Sequence, residues 1–491
     1  MKLNESSQEK YPQYQGAMYI NGRDLPIKNP TPIRNPARLS ETVGTIPLGS
    51  PADANLAVEA AHAAFPAWSA LTMQARAALV AAAGEAIVAG MDERAALLSR
   101  ENGKLRTEAW FDCMGAKRCN DYYAGLADSF KLQWDLPAPN GRVIVTRKPM
   151  GVAGIIVPWN APVLLGYLGI APALVAGNTV VVKPSSFVPL ALMDTVRLMA
   201  AKLPPGVLNV VTGPGGAIGK VLSTHPLIRR VIFTGSVEVG LQVLADSATS
   251  VKRCTMELGG NDPALILADA DLDKTVAGVL KAVFFGSGQI CYDVKRIYVH
   301  RDIYPVFLKR FTEAADALVV GNGLDPKVNM GPVTTESQYK FVNELIARTK
   351  AGKGKVIEVG KKGVSEAEWA DGYFIRPHIA TGVDHNDAVV TCEQFGPIIP
   401  IVPFSDEDEA IRLANDSEFG LASSIWSEDE DHAWDLARRI DAGTTFINTH
   451  AVSSAVDMPF GGFKFSGLGR GHSVIGLEEQ FELQTISTRL L

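Results

Sequence analysis

The alternation of strands and helices between residues 151 and 260 constrains the fold of this chain more than any other feature of its sequence. Four apolar runs, GVAGIIVPW, NTVVVKPS, GVLNVVTG and RRVIFTGS, are each followed by a stretch with helical spacing. Strands that alternate with helices pair in parallel, and the helices then cover both faces of the sheet. The second half repeats the pattern with PALILAD, KRIYVH, PIIPIVPF and SSIWS. The sequence therefore predicts an α/β fold with two doubly wound halves.

A smaller antiparallel element is predicted between these patterns and the helical region that precedes them. The segment LQWDLPAPNGRVIVTRKPMG reads as two extended runs around a Pro-Asn-Gly turn. From Pro51 to about Ala127, alanine-rich stretches recur at three-to-four spacing and predict helices. With 491 residues the chain exceeds what one hydrophobic core usually supports, so we expect two or three domains.

Charge and composition argue against several classes of partner. The net charge is -6 and the cations are spread along the chain, whereas nucleic-acid binding needs clustered cations. The most apolar stretch, residues 151–182, is interrupted by prolines and asparagines, so no membrane span is predicted. The N-terminus lacks the pattern of a secretory signal, and none of the five cysteines forms a CxxC pair. A cytoplasmic location is therefore expected.

Three residues far apart in the sequence have side chains suited to carbonyl chemistry. Cys291 lies on a connection between a Gly-Ser-Gly loop and an apolar strand, although a lone cysteine is often an inert buried residue. Glu257 precedes two glycines and is compatible with reaching an open cavity or with simply ending a strand. Asn160 stands between two prolines, where its amide suits either an oxyanion donor or a turn. A thiol and a carboxylate together suit attack on a carbonyl followed by activation of water.

Two glycine-containing turns and one lysine are candidate phosphate or ribose ligands. Gly235 and Ser236 follow a strand and open a helix, and Gly215 lies in a similar turn one unit earlier. Neither turn is a full GxGxxG, so each is a weak signal by itself. Lys183 ends a strand at the carboxyl edge of the predicted sheet, where open α/β sheets bind ligands. No HExxH or clustered His and Cys is present, so no metal site is predicted.

Taken together, these segments resemble the aldehyde dehydrogenase superfamily from about Met18 to the C-terminus. The matching motifs occur in the order PWNAP, VVKPSS, FTGSVEVG, MELGGNDP, GQIC, EQFGP and PFGGFKFSGLGR. The resemblance implies that Cys291 is the nucleophile and that Glu257 is the general base for the water that releases the acid. It also implies an oxyanion hole made by the Asn160 amide and the Cys291 N–H. A thiohemiacetal and then a thioester on the cysteine would be the intermediates.

The resemblance further implies a nicotinamide cofactor and a division of the chain into domains. The implied cofactor-binding residues are Ile156, Trp159, Lys183, Ser186, Gly215, Gly219, Phe233, Gly235, Ser236, Leu258, Glu393 and Phe395. Residues 1–128 and 148–258 would form the dinucleotide-binding domain, and residues 259–463 the catalytic domain. Residues 129–147 and 478–491 would extend a sheet between subunits, in a homodimer or homotetramer.

Several residues depart from the family's pattern and suggest how this chain differs. Ser186 stands where NAD-preferring relatives often carry a glutamate, so NADP is expected to be tolerated. Use of both NAD and NADP is expected, and a preference for NADP is the alternative. Ala161 replaces the phenylalanine common in PWNFP, which suggests room for a bulky apolar or aromatic aldehyde. The implied substrate pocket consists of Ala161, Ile290, Tyr292, Ser454 and Phe460. Asn261 and Gly471 also depart from the usual pattern, and Asn261 is interpreted as structural.

Other functions remain compatible with the residues. One is a semialdehyde dehydrogenase acting on a carboxylate-bearing aldehyde, although no arginine lies on the loop around His450, Ser453 and Ser454 to bind a carboxylate. Lys117 and Arg118 on an earlier helix keep that alternative open. A thiol esterase without redox chemistry, a CoA-acylating relative and a catalytically silent protein are further alternatives. The presence of Glu257 favours hydrolysis over transfer to CoA.

Overall fold

The computed structural model describes residues 11–450 and 456–488 and has an α/β architecture built on two large sheets. The strands are β1 Tyr14–Gln15, β2 Tyr19–Ile20, β3 Arg23–Asp24, β4 Pro30–Asn35, β5 Arg38–Pro47, β6 Gln133–Leu136, β7 Val143–Pro149, β8 Val152–Ile156, β9 Thr179–Lys183, β10 Leu208–Val210, β11 Ile228–Thr234, β12 Arg253–Glu257, β13 Asp262–Ile266, β14 Val294–His300, β15 Val319–Val320, β16 Lys355–Glu358, β17 Lys361–Lys362, β18 His378–Thr381, β19 Ile398–Phe404, β20 Phe419–Gly420, β21 Ala422–Trp426, β22 Thr444–Ile447, β23 Phe463–Lys464, β24 Gly467–Leu468 and β25 Phe481–Ser487.

Helices alternate with these strands after residue 150, as the sequence pattern predicts. The α-helices are α1 Pro51–Ser69, α2 Met73–Val88, α3 Met91–Asn102, α4 Arg106–Gly125, α5 Pro162–Ala176, α6 Leu190–Ala200, α7 Lys220–Thr224, α8 Val237–Ala248, α9 Leu272–Phe284, α10 Tyr304–Asp316, α11 Glu336–Ala351, α12 Glu366–Ala370, α13 Ala388–Thr391, α14 Glu407–Asn415, α15 Glu430–Ala437 and α16 Ser473–Glu478. A π-helical turn, Gly215–Gly219, precedes α7, and a 3₁₀ turn, Phe285–Gly288, follows α9.

The first large sheet has eight strands in the order β24-β12-β11-β8-β9-β10-β2-β3. Its five central strands, from β12 to β10, are parallel to one another. All five residues of β9 are buried, which is typical of a parallel strand covered by helices on both faces. The predicted parallel sheet is therefore confirmed for this half of the chain.

The second large sheet has seven strands in the order β16-β18-β19-β14-β13-β21-β22. Every pair is parallel except β16 with β18 at one edge. Strand β13 pairs with both β14 and β21, so the segments immediately before β13 and β14 lie side by side. This places the connection that carries Cys291 next to the two glycines that follow Glu257.

The predicted hairpin forms a separate three-stranded sheet with the C-terminal strand. Strands β6 and β7 are antiparallel, and β25 pairs with β7 over seven residues, from Phe481 opposite Pro149 to Ser487 opposite Val143. The outer strands expose large apolar side chains, among them Leu136, Leu483 and Ile486. Pairing between subunits stays a prediction.

Within residues 11–450 and 456–488, no helix is long and apolar enough to cross a membrane. The same ranges contain no group of three or more His, Cys, Asp or Glu side chains placed to hold a metal ion.

Candidate active site

A cavity of about 890 Å³ lies where α4, α5 and α9 face the loop that carries Cys291. Both Cys291 and Asn160 line it, together with Ala161. Its apolar lining includes Phe111, Leu164, Leu165, Leu168, Leu280, Phe284, Phe285, Ile290, Tyr292, Val456 and Phe460. Asn160 and Cys291, which are far apart in the chain, thus share one largely apolar cavity.

The amide of Asn160 is held close to the Cys291 loop. Its Nδ2 atom donates a hydrogen bond to the backbone oxygen of Gln289 at 3.0 Å, two residues before the cysteine. Asn160 directly precedes Ala161, which caps α5, and Pro162 is the first residue of that helix. The backbone oxygen of Asn160 accepts a hydrogen bond from Lys104 Nζ at 2.6 Å. The position of this amide is therefore set from both its side-chain and its backbone end.

The surroundings of Cys291 act on its thiol in opposite directions. Burial raises the pKa of the thiol far above its usual range. The ammonium of Lys295 lowers that pKa, whereas the carboxylates of Glu393, Asp262 and Glu257 raise it. Formation of a thiolate at Cys291 is therefore favoured by the nearby cation and opposed by burial and by the carboxylates.

Glu257 lies beside the cavity and does not line it. It ends β12 opposite Thr234, and neither of its buried carboxylate oxygens has a hydrogen-bond partner among residues 11–450 and 456–488. Its Oε1 lies 3.1 Å from the point that a Cβ on Gly461 would occupy. Burial raises the pKa of Glu257 well above its usual value, while the positive charge of Arg470 opposes the rise. Of the two possibilities left open by the sequence, Glu257 does end a strand, and its carboxylate lies close to Gly461 of the PFGG segment.

The residues implied in cofactor binding gather at the carboxyl edge of the first sheet. Strand registry places Ile156 between Lys183 on one side and Phe233 on the other. Lys183 is buried, its Nζ donates to the backbone oxygen of Pro184 at 2.9 Å, and burial lowers its pKa to about 8. Ser186 Oγ donates to the backbone oxygen of Gly213 at 3.0 Å, so its proton is already engaged. The carboxyl edge of this parallel sheet thus carries the cation of Lys183, and the neighbouring position 186 is an uncharged serine.

The two glycine-rich turns leave room next to this edge. No atom lies within 4 Å of the point that a Cβ on Gly215 would occupy, whereas a Cβ on Gly219 would lie 4.0 Å from Lys183. At Gly235 a Cβ would lie 2.6 Å from the Phe233 ring, so this turn requires glycine. Ser236 caps the 12-residue helix α8 and accepts a hydrogen bond from Val239 N at 3.4 Å. Open backbone at a helix N-terminus beside a buried ammonium fits the phosphates and ribose of a dinucleotide.

The remaining implied cofactor residues surround the segment after Glu257. The carboxylate of Glu393 accepts a hydrogen bond from Gly260 N at 2.9 Å. The rings of Trp159 and Phe395 meet edge to face at 5.5 Å, and Phe395 has a left-handed backbone with φ of 46°. Such a conformation costs a bulky residue about 1–3 kcal/mol and is typical of functional sites. Leu258 packs so closely on α8 that a Cβ on Gly240 would lie 2.4 Å from its side chain.

The substrate-pocket residues implied by the resemblance line the cavity where the structure describes them. Ala161, Ile290, Tyr292 and Phe460 all do so, and the rings of Tyr292 and Phe460 meet edge to face at 5.7 Å. Ser454 lies outside the described residues, as does Ser453. His450 is buried, and its Nε2 atom forms a hydrogen bond with the backbone oxygen of Tyr292 at 2.6 Å.

The sequence offered Lys117 and Arg118 as cations that could bind the carboxylate of a semialdehyde, and only Arg118 of these two lines the cavity. Arg118 does so from an exposed position on α4, with its guanidinium over the Phe111 ring. Lys117 is paired with Glu85 and Asp121 and does not contribute to the lining.

Two buried lysines at this site were not identified from the sequence. Lys104 forms an ion pair with Asp112 at 2.9 Å and bonds to the Asn160 backbone, while Asp112 accepts a hydrogen bond from Leu164 N at 2.7 Å. Lys295 donates to three backbone oxygens of the Cys291 loop. Both lysines are less than 7 % exposed. The sequence did indicate that Lys295 is unusual, because a charged residue is not expected in VKRIYVH, a strand predicted to be buried on both faces.

An α/β fold that presents a thiol and an amide to one apolar cavity defines a class of enzyme that forms covalent thiol adducts with carbonyl substrates. The comparisons with known proteins make the class specific. A model of the aldehyde dehydrogenase family matches residues 26–486. The chain belongs to the aldehyde dehydrogenase family.

Similar proteins in this family differ in their named substrates and cofactors. The chain is 36 % identical to the succinate-semialdehyde dehydrogenase [NADP(+)] of Escherichia coli, covering 99 % of each chain. It is also 36 % identical to the phenylacetaldehyde dehydrogenase of Pseudomonas fluorescens, covering 94 % of this chain and 93 % of that one. The crystal structure of betaine aldehyde dehydrogenase from Staphylococcus aureus with NAD+ superposes with a TM-score of 0.93 at 32 % identity, over 99 % of this chain and 97 % of that one.

Proposed function

We propose that this chain oxidises a bulky apolar or aromatic aldehyde to its carboxylic acid, using Cys291 as the nucleophile and a nicotinamide dinucleotide as oxidant. The observation that carries the proposal is the shared cavity, in which the Cys291 thiol and the Asn160 amide are both presented to one apolar space. A carbonyl carbon next to the thiol would have its oxygen within the reach of the amide. Family membership supports the same reaction.

In the first half of the reaction the Cys291 thiolate attacks the aldehyde carbon, and a carbon–sulfur bond forms as the carbonyl oxygen becomes an alkoxide. The Asn160 amide and the Cys291 N–H stabilise that alkoxide, because donors aimed at the developing charge act strongly in a site that excludes water. A bound nicotinamide dinucleotide supplies the acceptor for the hydride that leaves the carbon. Cys291 is then held as a thioester.

In the second half Glu257 takes a proton from water, and the hydroxide attacks the thioester carbonyl. The carbon–sulfur bond breaks, the acid leaves and the thiolate is restored. A buried carboxylate with a raised pKa suits a base that cycles its proton near neutral pH. Glu257 is near enough to Cys291 to raise the pKa of its thiol, which supports this assignment.

The composition of the cavity supports an apolar substrate. Three leucines of α5, Leu164, Leu165 and Leu168, face it, together with the aromatic rings of Phe111 and Phe460. Burying such surface against a ring or an aliphatic chain contributes roughly 25 cal/mol per Å² of apolar area. Cavity size also favours bulk, since drug-sized ligands occupy cavities of about 300–1,000 Å³.

The alternative is a carboxylate-bearing semialdehyde, and two observations favour it. A relative of 36 % identity acts on succinate semialdehyde by its name, and Arg118 lines the cavity. A substrate panel separates the two classes. We expect phenylacetaldehyde and longer apolar aldehydes to have kcat/KM at least about tenfold above that of succinate semialdehyde, the difference of roughly 1.4 kcal/mol expected from burying apolar area in such a cavity. The reverse order, abolished in Arg118→Ala, would establish the semialdehyde alternative.

For the cofactor we propose that both NAD and NADP are accepted, with NADP tolerated well. Ser186 brings no negative charge to the edge where Lys183 lies, so its side chain does not repel a 2′-phosphate. The Ser186 hydroxyl already donates its hydrogen bond to the Gly213 oxygen. The proposal for NADP is therefore supported by the missing carboxylate at this position and by the cation of Lys183. Steady-state rates with each cofactor test this directly.

We further propose that the small sheet joins two copies of the chain. Strand β25 lies at one edge of that sheet and exposes Leu483 and Ile486, and exposed apolar strand edges pair with other chains. We also propose two domains, because the chain forms two separate large sheets. The dinucleotide-binding domain would consist of residues 1–128 and 148–258, and the catalytic domain of residues 259–463. A mass by light scattering that falls to the monomer value in Leu483→Lys would support the dimer contact.

A further inference from the structure

Lys295 is a buried lysine on β14 that the reaction outlined above does not use. Its side chain is 3 % exposed. The ammonium donates to the backbone oxygens of Ile290 at 2.7 Å, Cys291 at 2.9 Å and Asp293 at 3.2 Å. These bonds use all three hydrogens of the ammonium. The side chain therefore fastens the loop that carries the nucleophile onto the strand that follows it.

The charge of Lys295 has no direct ion pair. Among residues 11–450 and 456–488, no carboxylate oxygen lies within 4.0 Å of its Nζ. Asp262, Asp293 and Glu393 are near enough for Lys295 to lower their pKa values, although burial raises all three. An ammonium buried on carbonyl dipoles carries a desolvation cost that an apolar side chain would avoid. In return the lysine supplies donors to three backbone oxygens and a positive charge among three buried carboxyl groups.

Two hydrogen bonds to the Ile290 oxygen, from Lys295 Nζ at 2.7 Å and from Asp293 N at 3.2 Å, fix the direction of a neighbouring donor. The Ile290–Cys291 peptide is trans, and the C=O and N–H of a trans peptide point in opposite directions. Because the Ile290 oxygen points at Lys295, the Cys291 N–H points away from it. The Asn160 amide is bonded to the Gln289 oxygen at 3.0 Å, so both proposed oxyanion donors are anchored on this same loop.

We propose that Lys295 is a positioning residue that builds the backbone half of the oxyanion hole, by holding the Ile290–Cys291 peptide with its N–H directed at the substrate oxygen. A cation on the carbonyl oxygen of a peptide also polarises its N–H and makes it a stronger donor. The inference rests on the proposed role of Cys291 as nucleophile. Lys295 acts through the peptide and does not touch the substrate.

A second effect of the same ammonium concerns the thiol. Burial raises the pKa of Cys291, and the carboxylates of Glu393, Asp262 and Glu257 add to the rise. Lys295 is the cation that opposes it. Removing this charge is therefore expected to shift thiolate formation to higher pH as well as to release the peptide.

The test compares Lys295→Met and Lys295→Arg in the full-length protein, with Lys252→Met as a matched control. Lys252 is also a buried lysine, but its Nζ donates to the His225 backbone oxygen at 2.8 Å and to Ser250, and neither residue lines the cavity. The measurements are kcat and KM for aldehyde oxidation, the Kd of NADP, and the rate of Cys291 alkylation by iodoacetamide against pH.

We expect Lys295→Met to lower kcat by about hundredfold to thousandfold, the range seen when an oxyanion donor is lost, with KM and the NADP Kd within about threefold of wild type. Its alkylation profile shifts to higher pH. Lys295→Arg, which keeps the charge, recovers part of kcat and the wild-type alkylation profile. Lys252→Met keeps the wild-type kcat and alkylation profile.

A wild-type kcat and alkylation profile in Lys295→Met would overturn the inference. So would a parallel loss of kcat, NADP affinity and thermal stability, because that pattern marks a structural role only. If Lys295→Met does not fold, Lys295→Gln carries the same comparison, since it keeps donors without charge, and an unchanged kcat there refutes the inference. Failure of the proposed function is distinguishable: wild type would then oxidise no aldehyde of the panel, or Cys291→Ala would remain active.

Discussion

The buried pair of Lys104 and Asp112 allows a quantitative prediction about how the oxyanion amide is held. Lys104 Nζ lies 2.9 Å from Asp112 Oδ2 and 2.6 Å from the Asn160 oxygen, and the two side chains are 5 % and 3 % exposed. Asp112 Oδ1 accepts a hydrogen bond from Leu164 N at 2.7 Å. The pair thus ties α4 to the first turn of α5 and to the Asn160 peptide.

Lys104→Met removes the cation and leaves the Asp112 carboxylate buried without its partner. Breaking a buried ion pair from one side costs about 3–5 kcal/mol. At the roughly 2–4 °C per kcal/mol of mid-sized domains, this corresponds to a fall in melting temperature of about 6 °C or more. The double variant Lys104→Met/Asp112→Leu removes both charges, so we expect it to be more stable than Lys104→Met. Such a cycle shows an interaction energy of about 2 kcal/mol or more, within the range for residues in contact.

Differential scanning calorimetry on wild type, the two single variants and the double variant measures this cycle. The kcat of each variant is measured in parallel, because release of the Asn160 backbone is expected to lower kcat while the NADP Kd stays near that of wild type. The exposed pair of Arg438 and Asp435 supplies a matched control, since surface pairs contribute only about 0–1 kcal/mol. Additive melting shifts for Lys104→Met and Asp112→Leu would refute the coupling, and an unchanged kcat would refute its link to Asn160.

Three further predictions concern the proposed reaction. Cys291→Ala should abolish aldehyde oxidation while leaving the NADP Kd unchanged in a fluorescence titration; residual turnover near the wild-type rate would remove the thiol from the mechanism. Glu257→Gln should accumulate a thioester visible by intact-protein mass spectrometry. In wild type the deacylation rate should rise with pH through the raised pKa of Glu257, because the base form is the unprotonated one, and this pH dependence should disappear in Glu257→Gln; rapid deacylation in the variant would exclude the base role. Ser186→Glu should lower kcat/KM for NADP relative to NAD by about tenfold or more, since a carboxylate would face the 2′-phosphate; an unchanged ratio would refute the interpretation of this position.

The fold was largely predictable because its signals are local. Apolar runs such as that of β9 alternate with helical spacing, and a short apolar run bounded by turn residues is typical of a strand covered on both faces. The Pro-Asn-Gly turn predicted the hairpin of β6 and β7, and the structure confirms it. Registry along β25 and β7 was not predictable in the same way, since it joins segments more than 300 residues apart.

The candidate site was predictable in its residues and not in its geometry. Motif order identified Cys291, Asn160 and Glu257, and the first two share a cavity. The sequence left open whether Glu257 reaches a cavity, and the structure has its carboxylate close to Gly461 of the PFGG segment. His450 was named only as part of the loop before PFGG, and the structure buries it with a hydrogen bond to the Tyr292 backbone oxygen.

Local spacing in the chain determined the order of strands and helices and the identity of the reacting groups, because periodicity and motif chemistry act over a few residues. Only the tertiary structure decided how those groups are held. Lys104 acts on a peptide 56 positions away, and Lys295 acts on backbone oxygens that any residue would supply. Every residue has a backbone carbonyl, so the sequence does not show which carbonyls Lys104 and Lys295 bind, and the folded chain does.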